Sequence, residues 1–159
     1  MKRSGSSEEG AEQWVVSTRP IAENLFTETK DGPRLIGSKC ARCQTIVFPK
    51  ATGCARCGND QLADHLLASH GTLFTFTTQQ FLPKEPYTGP ETEEDFTGYA
   101  LGYVELPDEV IVETRLTESD LTRLTIGMEM ELVLVPFRTD PDGVDVMTYA
   151  FAPSEGGRA

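Results

Sequence analysis

From Gly71 onward the chain repeats one pattern. Short runs rich in β-branched and aromatic residues, GTLFTFTTQQF, GYALGYVEL, EVIVETRL, MEMELVLVPF and GVDVMTYAF, predict five strands and a small barrel. Alternation is cleanest at Met128, Met130, Leu132 and Leu134, which share one face while Glu129 and Glu131 take the other. In TDPDGVD, Asp142-Gly143 predicts a turn before the last strand, because glycine supplies the positive φ such connections need. LPKEPYTGPETEEDFTG, residues 82–98, carries three prolines and five carboxylates and predicts a long surface loop.

The first third reads differently. In STRPIAENLFTETKDG, Ser17 or Thr18 can cap, Pro20 suits a first helical turn, and Ile21, Leu25 and Phe26 form an apolar stripe. These features predict a short amphipathic helix stopped by Gly32 and Pro33. RLIGSKC and TIVFP then predict strands leading into and out of a first cysteine pair. QLADHLLASHG fits two periods: Leu62, Leu66 and Leu67 a helical face, Leu62, Asp64 and Leu66 an alternation. MKRSGSSEEGAEQ has too few apolar groups to offset its ordering entropy and reads as a disordered tail.

A chain of 159 residues fits one ordinary domain or a small module joined to a modest barrel. It shows no apolar leader segment and no uncharged run long enough to span a membrane, so a cytoplasmic protein is expected. The net charge of -11 is unevenly spread. Residues 81–159 hold 17 acidic and 5 basic side chains. From Gly32 to Asn59 there is no carboxylate, while Arg34, Lys39, Arg42, Lys50 and Arg56 fall inside. A basic knuckle precedes an acidic body.

Within that basic stretch lie all four cysteines, in two Cys-x-x-Cys pairs: Cys40 with Cys43 and Cys54 with Cys57. Each such knuckle offers two thiolates from one tight turn, and two knuckles complete a tetrahedral zinc shell. The spacing and the missing leader favour reduced metal ligands over disulfides. Gly58, directly after Cys57, relieves the crowded backbone at the end of its knuckle. A four-thiolate shell leaves no open coordination position, so the expected role is a structural staple. Arg42, Lys50 and Arg56 either compensate the thiolates or meet a phosphate or an acidic partner surface. His65 and His70, the only histidines, read as ordinary strand-end residues.

The barrel is poorly equipped for catalysis. After Lys84 there is no lysine, after His70 no histidine and after Cys57 no cysteine, which leaves carboxylates, tyrosines and hydroxyls. No dinucleotide fingerprint, phosphate loop or nucleophile elbow is present. No catalytic residue is assigned.

The order of helix, four-cysteine ribbon and five-stranded barrel resembles the zinc-ribbon OB-fold proteins associated with acyl-CoA enzymes. The resemblance runs from about Ile21 to Pro153, through RLIGSKCARCQTIVFP, GCARCG, HGTLFTFTT, IGMEMEL and TYAFAP. It implies a mainly β fold: a short N-terminal helix, a rubredoxin-like four-cysteine zinc ribbon and an OB-fold barrel. In that family the segment after the second knuckle enters the barrel as a strand, which assigns QLADHLLAS to strand. The implied division is a tail over 1–13, a helical segment over 14–33, the ribbon over 34–61, the barrel over 62–153 with its acidic loop 82–98, and a tail over 154–159. The resemblance also implies an accessory subunit bound to a thiolase-superfamily partner that supplies the catalytic residues. Such partners include thiolases, an acyl-CoA-forming synthase of the mevalonate route and retro-aldolases that shorten steroid side chains. The complex would act on a CoA ester, with Arg42, Lys50 and Arg56 facing the partner or the CoA phosphates.

Two other readings stand beside this one. Zinc ribbons and OB-folds also bind single-stranded nucleic acid, and Phe74 and Phe76 would be the stacking platform; the acidic body opposes a polyanion. A free-standing acyl-CoA binder would show affinity for its ligand without any partner.

Overall fold

The computed structural model describes residues 17–154, and in them the chain forms two sheets that share one core. The expectations for residues 1–13 and 155–159 lie outside the described residues, as do residues 14–16 of the expected helical segment. Ser154 is described, and its N–H donates to the Glu129 carbonyl at 2.9 Å.

Among the described residues the expected N-terminal helix does not form. Thr18–Pro20 is a strand, β1, and Phe26–Thr29 is another, β2. Asn24 between them has φ of 59°, a left-handed conformation that no α-helix tolerates. Each strand finds a partner instead: β1 lies parallel to the last strand of the barrel, and β2 forms a hairpin with Gly32–Cys40, β3, turning through Gly32 at φ 103°.

Strand β3 organises the ribbon. Its two neighbours on the knuckle side are Ile46–Val47, β4, and Leu62–Leu66, β5, both antiparallel to it. A Cβ on Gly37 would sit 2.5 Å from the Val47 carbonyl oxygen, so glycine is what lets β4 approach. Buried Ser38 accepts the Ala51 N–H at 3.1 Å and ties the segment between the knuckles to β3. Within QLADHLLAS, Leu62–Leu66 is a strand, but it pairs with β3 in the ribbon's sheet rather than entering the barrel ring as the resemblance implies.

The barrel is built from His70–Gln79 (β6), Tyr99–Glu105 (β7), Ile111–Leu116 (β8), Glu129–Thr139 (β9) and Asp145–Pro153 (β10). These are the five strands the alternation predicts. Antiparallel pairs join β6 to β7, β7 to β8 and β9 to β10, a short parallel pair joins β8 to β10, and β9 returns to β6 to close the ring. Gly71 stands where a Cβ would lie 2.3 Å from the Glu105 carbonyl oxygen. The turn at Asp142-Gly143 forms as expected, with Gly143 at φ 81°.

Inward residues of the ring, Leu73, Val104, Val112, Met130 and Phe151, are buried, each worth about 1.5–3 kcal/mol relative to exposure. Leu35 of β3 and Leu67 just after β5 belong to the same cluster, with Ile46 and Phe48 packed against it. Ribbon and barrel therefore share a core. The sole described helical element is a 3-10 turn at Leu121–Arg123, capped by the Asp120 carboxylate. Among the described residues no helix is long and apolar enough to cross a membrane.

Candidate metal centre and the groove beside it

The sequence CARC occurs at residues 40–43 and again at 54–57, and the two copies fold alike. In the first, the Gln44 N–H donates to the Cys40 carbonyl (3.0 Å) and the Cys40 N–H to the Thr45 carbonyl (2.9 Å). In the second, Gly58 donates to Cys54 (2.8 Å) and Cys54 to Asn59 (2.8 Å). This repeated turn points each pair of thiols inward. The four Sγ atoms lie within 4.8 Å of one another, with Cys40 and Cys57 at 3.6 Å and Cys43 and Cys54 at 3.5 Å. Four sulfurs on a tetrahedral ion at about 2.3 Å would stand about 3.8 Å apart, so the set fits zinc.

The surroundings favour the thiolate at the first pair, Cys40 and Cys43. Cys40 is brought down to about 6, first by the Cys43 N–H and, against burial, by the Asn59 side-chain amide and the Arg42 N–H. Cys43 is also lowered, chiefly by the Thr45 hydroxyl 3.1 Å away and by the Thr45 N–H. The Asn59 N–H favours the Cys57 thiolate, but burial and the three neighbouring thiols push Cys57 up to about 11. A divalent cation held by the four sulfurs would remove that conflict, since metal binding displaces the thiol protons. Thr45 and Asn59, two residues after the second cysteine of each pair, are part of the centre, which the cysteine spacing alone does not reveal. Their matching offset, two residues beyond Cys43 and Cys57, is the signal that marks them.

Arg42 and Arg56 hold equivalent positions in the two knuckles, are exposed, and have no carboxylate within 4.0 Å among the described residues. Lys50 differs: its Nζ is 2.7 Å from Asp64 on β5. Neither histidine joins the metal cluster. His65 Nε2 is buried, lacks a hydrogen-bond partner and stands 3.5 Å from Glu109, whose carboxylate accepts the Ala68 N–H. His70 opens β6 near Glu131.

Beside the ribbon, Phe48 and Pro49 meet the outer face of β7 and β8 at a groove of about 550 Å³. Phe48 packs edge-on against Tyr149 at 5.6 Å, and the Tyr149 hydroxyl donates to the Glu113 carbonyl at 3.0 Å. At the far end the Arg115 guanidinium lies 3.7 Å from the Tyr99 ring centroid and 5.3 Å from that of Phe137. It also donates to the Tyr87 hydroxyl at 2.8 Å, and that hydroxyl donates to Glu91 at 3.0 Å. The acidic loop is thus anchored to the barrel. Burial raises the Tyr87 and Tyr149 phenols above their ordinary range, so neither is a base at neutral pH. The groove can bind and enclose, and none of its described lining residues is a cysteine, histidine or lysine that could serve as an activated nucleophile.

The stacking platform of the nucleic-acid reading does not assemble. Two-residue alternation would place Phe74 and Phe76 together, but the ladder shifts between Leu73 and Thr75. Phe76 packs against the core and Phe74 is exposed.

Residues 31–63 match the model of the ChsH2 rubredoxin-like zinc ribbon domain, and residues 65–135 that of the ChsH2 C-terminal OB-fold domain. A DUF35 domain-containing scaffold protein of Pyrococcus furiosus is 31% identical over 121 residues, 76% of this chain and 83% of its own. The benzoylsuccinyl-CoA thiolase subunit BbsA of Thauera aromatica is 27% identical over 130 residues, 80% of this chain and 83% of its own. Among solved structures, the Ltp2-ChsH2(DUF35) aldolase contains a similar fold, with a TM-score of 0.55 and 23% identity over 76% of this chain and 84% of the other. Ribbon, barrel and sequence agree: the chain belongs to the DUF35 family, whose rubredoxin-like zinc ribbon precedes an OB-fold.

Proposed function

We propose that this chain is a non-catalytic accessory subunit of a thiolase-superfamily complex that makes or breaks a carbon-carbon bond in an acyl-CoA. The likeness to a benzoylsuccinyl-CoA thiolase subunit along four fifths of both chains carries the reading. The chain's own chemistry supports it: from Gly71 to Ser154 there is no cysteine or histidine, and Lys84 is the only lysine. The bond-making groups then come from the partner. Cys40, Cys43, Cys54 and Cys57 hold zinc as a closed cross-link that fixes the ribbon. Arg42 and Arg56, exposed and without a carboxylate partner among the described residues, face the partner or the CoA phosphates, together with Lys50, which also contacts Asp64. The subunit's contribution is positioning and enclosure of the ester rather than a chemical step.

The test is a pull-down of the tagged chain from its native host, with the captured proteins identified by mass and assayed for acyl-CoA carbon-carbon cleavage with and without this chain. A thiolase-type subunit whose activity or stability depends on this chain is the expected result. A thiolase-type subunit fully active alone, or no such subunit together with tight binding to single-stranded nucleic acid, overturns the reading.

A further inference from the structure

Strands β8 and β10 run parallel, yet they pair only where Arg115 and Leu116 meet Ala150 and Phe151. Earlier in β10, Asp145–Met147 pair with β1 instead, and the Ile21 N–H donates to the Met147 carbonyl at 2.8 Å. The strands therefore diverge, and the groove of about 550 Å³ opens between them. Along it, Ile111–Thr114 has β7 on one side and, among the described residues, no strand on the other. The Glu113 carbonyl points into the gap, where Tyr149 reaches it by a side chain. The N–H and C=O of one strand residue share an edge, so the Glu113 N–H points there too, as do the backbone groups of Ile111 two residues away.

We propose that this open edge of β8 takes an extended segment of the partner subunit as an added strand, with apolar side chains and a basic residue near Glu113. The inference rests on the accessory-subunit reading and names the surface that serves it. An unpaired edge is a template for strand addition, and IVETRL has neither the lysine nor the proline that blunts such edges. The four open residues span about 13 Å, room for a short extended segment. Apolar surface is at hand, since Ile111 is 44% and Tyr103 45% exposed. Charge selects the occupant. Arg115 lines the far end of the groove, but its backbone is already paired with Ala150 and its guanidinium stacked on Tyr99. What the face presents is Glu113, with Glu105 paired opposite Ile111. A second copy of β8 would bring carboxylate against carboxylate, whereas a basic segment complements them.

Hydrogen exchange on the full chain, free and in complex with its thiolase-superfamily subunit, tests the assignment without any substitution. The Ile111 and Glu113 amides should exchange at least about tenfold more slowly in the complex. Glu113→Lys, on an exposed side chain, should weaken the complex by about tenfold while zinc content stays unchanged. A complex that forms with both amides exchanging as in the free chain and with Glu113→Lys neutral overturns the strand-addition proposal and leaves the accessory role standing. Absence of any complex removes both. Dimerisation of the chain alone that Glu113→Lys abolishes would assign the edge to a second copy and also overturn the proposal.

Discussion

Gln44 and Gly58 occupy the same place in the two knuckles, with φ of 63° and 74°, and each donates its N–H to the carbonyl of the first cysteine of its pair. One position uses glycine and the other does not. A Cβ on Gly58 would have no atom within 4 Å, so the left-handed backbone is the whole penalty of adding one. Gly58→Ala should cost about 1 kcal/mol, and Gln44→Gly should be neutral or stabilising by a similar amount; urea unfolding of the zinc-loaded chain measures both.

Metal removal tests the centre itself. The chain should carry one zinc, and a strong chelator or Cys40→Ser at the fully buried ligand should release it and unfold the ribbon. Metal analysis together with hydrogen exchange of Leu35–Cys40 follows the two events. Retention of the β3 to β5 ladder after complete metal loss would contradict a stapling role.

Leu35 and Leu67 bridge ribbon and barrel, fully buried and in one cluster with Phe151. Truncating either to alanine should destabilise the chain by about 2–5 kcal/mol, at the upper end if the joint cannot collapse. Denaturation should remain a single transition whether read on ribbon or barrel signals. Two separated transitions would mean that the modules fold independently.

Asp140 clasps β1 to the β9–β10 turn. Hydrogen bonds from Arg19 first, then Arg138, hold its carboxyl below the usual carboxylate range. A depressed native pKa contributes stability that is fully present above the unfolded value, near about 4, and is lost as pH falls through the lower native value. Acid should therefore loosen Thr18–Ile21. Amide exchange at Ile21 should rise in acid relative to its intrinsic rate, and Asp140→Asn should show the looser state already at neutral pH. An Ile21 amide equally protected in both proteins would discount the clasp.

Charge reversal at Arg42 and Arg56 should weaken assembly or raise the apparent KM for the CoA ester, by about tenfold for the pair. Lys50→Glu would also lose the contact to Asp64, so its effect is compared with Asp64→Asn. Unchanged values in the arginine variants would remove these side chains from the interface.

What the sequence made legible was local. The strands from β6 to β10 follow from alternation and turn residues, and the metal centre from two spaced pairs of cysteines. The segment from Ser17 to Thr29 misled because its partners are distant. Ile21, Leu25 and Phe26 fit a helical stripe, but Thr18 pairs with Asp145, and no local propensity reports a strand so far along the chain. Strand β5 forms where a strand is expected but pairs with β3 instead of entering the barrel, because pairing partners are set by the shared core and not by order in sequence. The Arg115 cluster went unseen for the same reason, since Tyr87, Tyr99 and Phe137 come from a loop and two strands and meet only after the ring closes.

With a stapling metal, the common core of ribbon and barrel would make the fraction of folded chain depend on metal supply. A ligand that binds only the native state shifts the folding equilibrium by mass action, and here its site lies on one side of a joint whose other side is the barrel wall. A cell short of zinc would lose the barrel's outer face along with the ribbon. Under the proposed accessory role, zinc availability would thereby also limit how much of the complex can be assembled.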